Sequence, residues 1–149
     1  MIIKSVGNLL SVTKGHIVHG CNAQGVMGAG VALAIKNMYP DCFEAYRKQF
    51  EASGLKLGSV VPFMVSDDLI IWNAITQNLY GKSGERFVSY DAVEESLAQI
   101  EYAIKIFQHM DATLHFPMIG AGLGGGKWPI IESIIDNTIT AEKVLWVLE

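Results

Sequence analysis

The apolar and polar positions of the chain alternate between two periods. Ile2 to Val6 is short and extended in character, and His16-Ile17-Val18-His19 reads as a short buried strand. From Val31 the spacing turns helical: Val31, Leu33, Ala34, Ile35 and Met38 fit a mostly buried helix that Pro40 stops or kinks. Asp41 to Phe50 continues as an amphipathic helix carrying Phe43, Tyr46 and Phe50, with Ser53-Gly54 as a suitable end. Ser59 to Val65 and Leu69 to Ile75 are rich in Val and Ile and flank Ser66-Asp67-Asp68, which predicts two adjacent strands, as in a hairpin. Residues 76–90 read as a polar, glycine-punctuated loop. Asp91-Ala92-Val93-Glu94 resembles a capping box, and Val93, Leu97, Ile100, Ile104 and Phe107 then recur at helical spacing. Thr113 to Met118 predicts a strand, Pro129 to Ile139 a helix with Pro129 in its first turn, and Lys143 to Leu148 a last strand. Strands alternating with helices imply an α/β fold with a mixed sheet covered on both faces.

At 149 residues the chain is long enough for one domain and short for two. Half of its residues are apolar and 17% are charged, enough to fill a core and too apolar for a disordered chain. The net charge of −4 argues against general nucleic-acid or anionic-membrane binding, which needs excess Lys and Arg. Two cysteines, Cys21 and Cys42, make neither a disulfide scaffold nor a four-cysteine zinc site. The N-terminal residues lack the pattern of a signal peptide, and no apolar run approaches the roughly 20 residues of a membrane span, so a cytoplasmic protein is expected.

The chemistry concentrates in two glycine-rich loops, each between an expected strand and an expected helix. The first is Gly25-Val26-Met27-Gly28-Ala29-Gly30 and the second runs from Gly120 to Gly126. Strand ends leading into helix starts are where open α/β folds bind ligands. Glycines there admit close approach of backbone to ligand, and the free N–H groups of a helix start favour anions. Tight turns and helix caps would account for one such loop; two in the same context point to phosphate or pyrophosphate. The standard nucleotide motifs fail. Gly120, Gly122 and Gly125 satisfy G-x-G-x-x-G, but only 24 residues follow Gly125, too few for the rest of a Rossmann half. Gly126-Lys127 has Ala121 and Trp128, and Gly81-Lys82-Ser83 has Thr76, where a P-loop needs other residues.

Side-chain chemistry is sparse. His19, at the end of its strand beside the first loop, is either a general acid, base or nucleophile or a core histidine with a satisfied hydrogen bond. His16, further from the loop, reads as core, and Cys21 as structural because no basic cluster surrounds it. Asn22 suits a sugar hydroxyl or a turn. Trp128 reads as sealing the core edge, and Lys82, Arg86 and Tyr90 either contact a substrate or are solvated. His16 with His19, and His109 with His115, lack metal-ligand spacing, so no metal and no cofactor is expected.

These residues together resemble a known family. Ile17-Val-His-Gly-Cys-Asn-Ala-Gln-Gly-Val-Met-Gly-Ala-Gly-Val-Ala32 is similar to the first binding loop of macrodomains, and Pro117-Met-Ile-Gly-Ala-Gly-Leu-Gly-Gly-Gly-Lys-Trp128 to their diphosphate-binding loop. Asn73-Ala-Ile-Thr-Gln-Asn78 onward to Tyr90-Asp-Ala92 resembles the segment after the middle strand. The resemblance covers nearly the whole chain and is nearest to a branch with phage and bacterial members, ADP-ribose-1″-phosphate phosphatases and terminal ADP-ribose glycohydrolases. It implies a three-layer α/β/α domain with a central mixed sheet that binds ADP-ribose or its 1″-phosphate, free or on a modified macromolecule. It also implies contacts: Gly7, Asn8 and Leu9 with adenine, Asn22 with the distal ribose, and Gly28, Ala29, Gly30 and Val31 along it. Gly120, Ala121, Gly122, Leu123, Gly124, Gly125 and Gly126 would cradle the diphosphate. Asn8 stands where the family often has Asp, which removes charge assistance from the adenine contact. The glycohydrolase relatives use a lysine after the threonine that matches Thr76 and an aspartate in the second loop. This chain has Gln77 and Gly124 there, and neither an amide nor a glycine supplies that chemistry. The resemblance to the phosphatases implies a metal-independent reaction in which His19 attacks or protonates at the 1″-phosphate while loop N–H groups stabilise the transferring oxygens.

Overall fold

A computed structural model describes residues 1–80, 86–122 and 124–148. Six strands form one sheet: β1 (Ile2–Val6), β2 (Gly15–Asn22), β3 (Val60–Ser66), β4 (Leu69–Gln77), β5 (Leu114–Phe116) and β6 (Lys143–Val147). Their spatial order is β1-β6-β5-β2-β4-β3. All neighbours are parallel except β3 and β4, the expected hairpin. The helices are α1 (Gly30–Met38), α2 (Pro40–Ser53), α3 (Tyr90–Ile106) and α4 (Trp128–Thr138).

Alternation along the central strands distributes them between two cores. Val18 and Trp72 pack with Val93, Leu97, Ile131 and Ile135 of α3 and α4. Ile17 and Ile71 face the other way, onto Ile35 of α1 and Cys42 of α2. Both faces of β4 are covered, so Leu69 to Thr76 is an uninterrupted buried run. The result is three layers, helix on sheet on helix.

The local signals explain most boundaries. Pro40 ends α1 and opens α2, where its missing N–H costs nothing. Gly54 closes α2 with φ +79°. The helix start expected at Asp91 lies earlier: the Ser89 side chain accepts from the Ala92 N–H at 3.2 Å, and Asp91 is a first-turn acid. The fifth strand is shorter than its apolar run because Pro117 has no N–H to extend the ladder. A short 3-10 turn, Leu9–Ser11, escaped the periodicity. Its cap is Asn8, whose Oδ1 accepts from the Leu10 N–H at 2.9 Å. None of the described helices is long and apolar enough to cross a membrane.

Candidate functional site

The carboxyl ends of β2 and β4, with the segment after β5, open into a cleft of about 460 Å³. The two glycine loops form facing walls of it. Asn22, Gly28, Ala29, Gly30 and Val31 line one side and Gly120, Gly122 and Gly124 the other. Ala121, Gly125 and Gly126 belong to the second loop without reaching the cleft wall, and Leu123 lies outside the described residues. Asn8 and Leu9 also stand off the wall, Asn8 as an exposed cap and Leu9 in the core beneath α1.

The first loop is fixed by its own side chains and by α2. Asn22 Oδ1 accepts from the N–H groups of Gln24 (3.0 Å) and Val26 (3.4 Å), and its Nδ2 donates to Val26 O at 2.8 Å. Of the two readings the sequence left open, the turn is formed, and Asn22 still lines the cleft. Tyr46, fully buried on α2, donates its hydroxyl to Asn22 O at 2.5 Å and lies 3.0 Å from Asn22 Oδ1. Arg47 Nη1 donates to Gly25 O at 3.2 Å, and a Cβ on Gly25 would meet the Phe50 ring at 2.8 Å. The periodicity assigned Tyr46 to a helix face and could not show its reach to the loop. Tyr46→Phe keeps the ring and loses the donor; the expected cost is about 1 kcal/mol. It should appear as a fall of roughly 2–4 °C in Tm with faster amide exchange at Gln24 and Val26.

This loop delivers the chain to α1 with no side-chain cap at Ala29 and no acid in the first turn. The positive end of the helix therefore faces the cleft unneutralised. The second loop is a fold of backbone on backbone. The Gly126 N–H donates to Gly120 O at 2.7 Å, and Gly124 O accepts from Phe87 (2.7 Å) and Val88 (3.0 Å). Gly120 has φ +70°, and a Cβ there would lie 2.6 Å from Val88. Tyr90 contributes through this loop, its hydroxyl accepting from the Lys127 N–H at 3.0 Å. Arg86 lies over the Tyr90 ring at 4.7 Å. Trp128 packs on Phe116 and donates to Glu132, an edge-sealing position, and Lys82 lies outside the described residues.

His19 borders the floor of the cleft but is only 1% exposed. Its Nε2 is 2.6 Å from Asn73 Oδ1, which requires the proton on Nε2, and Asn73 Nδ2 donates onward to Val61 O at 3.1 Å. Burial lowers the His19 pKa to about 4, against the raising effect of that hydrogen bond. The ring is thus a neutral tie between β2 and β4, and the nucleophile or general acid expected from its sequence position has no exposed nitrogen to act with. Cys21 and Cys42 flank Asn73, and burial raises both thiols, Cys42 to about 11, so both are protonated at neutral pH. His16 is likewise core: it accepts from Trp72 Nε1 at 3.0 Å, and burial lowers its pKa to about 4.

Both histidines bind protons more weakly folded than unfolded. Between their folded pKa of about 4 and the ordinary histidine value of 6.5, the unfolded chain therefore holds more protons. Their contribution to stability is complete above 6.5 and is lost as pH falls toward 4. Thermal melts should show Tm falling across that window, with a shallower fall in His16→Leu.

Val26, Gln77, Tyr80 and Met118 also line the cleft. Val26 and Met118 belong to the two loop stretches and Gln77 to the segment after the middle strand, whereas nothing in the sequence singled out Tyr80. Among the described lining residues there is no Asp, Glu, Lys or Arg. Among the described residues no three His, Cys, Asp or Glu gather as metal ligands.

Three layers with two backbone-built loops facing each other across the strand ends define an α/β/α domain with an anion-binding cleft. The Macro domain model matches residues 18–135, and the chain belongs to that family. A DNA ADP-ribosyl glycohydrolase of Thermus aquaticus is 31% identical over 148 residues, covering 96% of this chain and 39% of that protein. The chain thus spans about two-fifths of that relative's length. An ADP-ribose 1″-phosphate phosphatase of Candida glabrata is 29% identical over 157 residues, covering 87% and 88% of the two chains. The macrodomain of Thermus aquaticus DarG superposes with a TM-score of 0.80 at 27% identity, covering 98% and 97%.

Proposed function

We propose that this macrodomain binds ADP-ribose and takes ADP-ribose-1″-phosphate as substrate, releasing phosphate. The observation that carries the binding is the pair of N–H-rich loops on one cleft with no charged side chain among its described lining residues. A diphosphate seated there is held by the backbone of the cleft-lining Gly120, Gly122 and Gly124 and by the uncapped start of α1, while the wall of Val26, Val31 and Met118 takes the apolar faces of the sugar.

For the reaction, two features favour phosphate release over glycosidic cleavage. The Candida glabrata phosphatase match covers 87% of this chain and 88% of that protein, whereas the glycohydrolase match covers 96% of this chain but only 39% of that protein. Gln77 and Gly124 are neighbours across the cleft, Gln77 Oε1 standing 3.1 Å from where a Gly124 Cβ would be, so the two places that carry a lysine and an aspartate in the glycohydrolase relatives meet here without either. Water attacks the phosphorus, the bond to the C1″ oxygen breaks, and that oxygen leaves with a proton as ADP-ribose forms. The loop N–H groups stabilise charge on the phosphoryl oxygens. His19 supports this from beneath as a strand tie and not as the attacking group.

The test is phosphate release from ADP-ribose-1″-phosphate by purified protein with chelator present. Turnover supports the enzyme. Saturable ADP-ribose binding without turnover reduces the function to a binding module, the reading that a neutral, sealed His19 favours.

A further inference from the structure

The parallel ladder between β2 and β4 breaks its register at the cleft. Pairing runs evenly from Gly15 opposite Leu69 to Cys21 opposite Ile75, and then Asn22 pairs with Gln77. Thr76 is therefore an extra residue in β4. Bulges are uncommon in parallel pairs, and near functional sites they re-aim the side chain that follows. Strict alternation would put Gln77 on the face of Asn73 and Ile75, under α1 and α2. It lines the cleft beyond His19 and Cys21, with Oε1 beside Gly124 of the second loop.

The bulge has a standing cost. Thr76 Oγ1 is buried without a hydrogen-bond partner among the described residues, and Gly20 has to be bare because a Cβ there would lie 2.8 Å from that oxygen. An irregularity kept at such cost next to a cleft is a mark of function. What it delivers is Gln77. Of the other polar side chains of the wall, His19 is tied to Asn73 and Asn22 to its own loop. Gln77 donates from Nε2 to Leu79 O at 2.8 Å, while among the described residues Oε1 accepts from nothing.

We infer that Gln77 is a specificity-determining contact, its Oε1 accepting a hydrogen bond from a hydroxyl of a sugar carried beyond the diphosphate. This rests on the ADP-ribose reading. A bare nucleoside diphosphate ends in phosphoryl oxygens that are mostly deprotonated at neutral pH, so it gains little from this acceptor.

The experiment is calorimetric titration of wild type and Gln77→Leu with ADP-ribose and, separately, ADP. Gln77→Leu should weaken ADP-ribose binding about fivefold to tenfold and leave ADP within about twofold. Gln77→Ala, which removes the whole side chain from a half-exposed position, gives the same ratio should the leucine variant fold poorly. An unchanged ratio of ADP-ribose to ADP affinity in both variants, or an equal loss for both ligands, overturns the assignment. Wild type that binds neither ligand overturns the ADP-ribose reading itself, so the two failures are told apart.

Discussion

Gly124→Ala abolishes ADP-ribose binding while the protein stays folded. The alanine Cβ would lie 2.7 Å from Gly120 O and 3.0 Å from Gly120 Cα, both backbone atoms that cannot swing aside. Gly120 O is also the acceptor for the Gly126 N–H, and Gly124 O is the acceptor for Phe87 and Val88. Relief of the clash therefore moves the whole loop and turns its N–H groups from the diphosphate. Overpacking of this kind costs about 1–3 kcal/mol, and the lost phosphate hydrogen bonds add to it, so the expected loss is at least about a hundredfold. Titration of the variant, with a melt to confirm the fold, checks it. Binding within a few-fold of wild type would mean that the second loop does not hold the ligand.

His19→Ala has its main effect on stability. It opens a cavity in the buried layer between β2 and α1–α2 and leaves Asn73 Oδ1, which His19 Nε2 contacts at 2.6 Å, with only the weak thiol donors Cys42 and Cys21. A cavity plus a weakened buried hydrogen bond costs about 3 kcal/mol, or roughly 6–12 °C in Tm for a chain of this size. His19→Gln, which can present a donor to Asn73, should recover part of the loss. If His19 were the attacking group, both variants would lose phosphate release completely at temperatures where both are folded. On the present account, turnover follows the folded fraction.

The sequence carried the elements whose signal is local. The β3–β4 hairpin, the break at Pro40 and the helical faces of α3 and α4 are written in spacing and in turn residues a few positions apart. The two glycine loops were legible for the same reason, since strand, glycine cluster and helix start are contiguous. What stayed hidden depends on partners far along the chain. The Asn73 that holds His19 is 54 positions away, and Tyr46 reads as one more residue on a helix face until the fold brings its hydroxyl to Asn22. The extra residue at Thr76 leaves no trace in hydropathy, because a bulge in a fully buried strand changes register without changing composition. Ser89 lost to Asp91 on the capping-box pattern, although serine two positions earlier serves as well.

The central claim is that backbone N–H groups, and not charged side chains, hold the diphosphate. Calorimetric titration of ADP-ribose at about 50 mM and about 500 mM salt tests it most directly, since exposed ion pairs weaken steeply over that range. The account predicts one saturable site whose affinity changes by less than about threefold. An affinity that collapses at high salt, or no binding at either concentration, would contradict it.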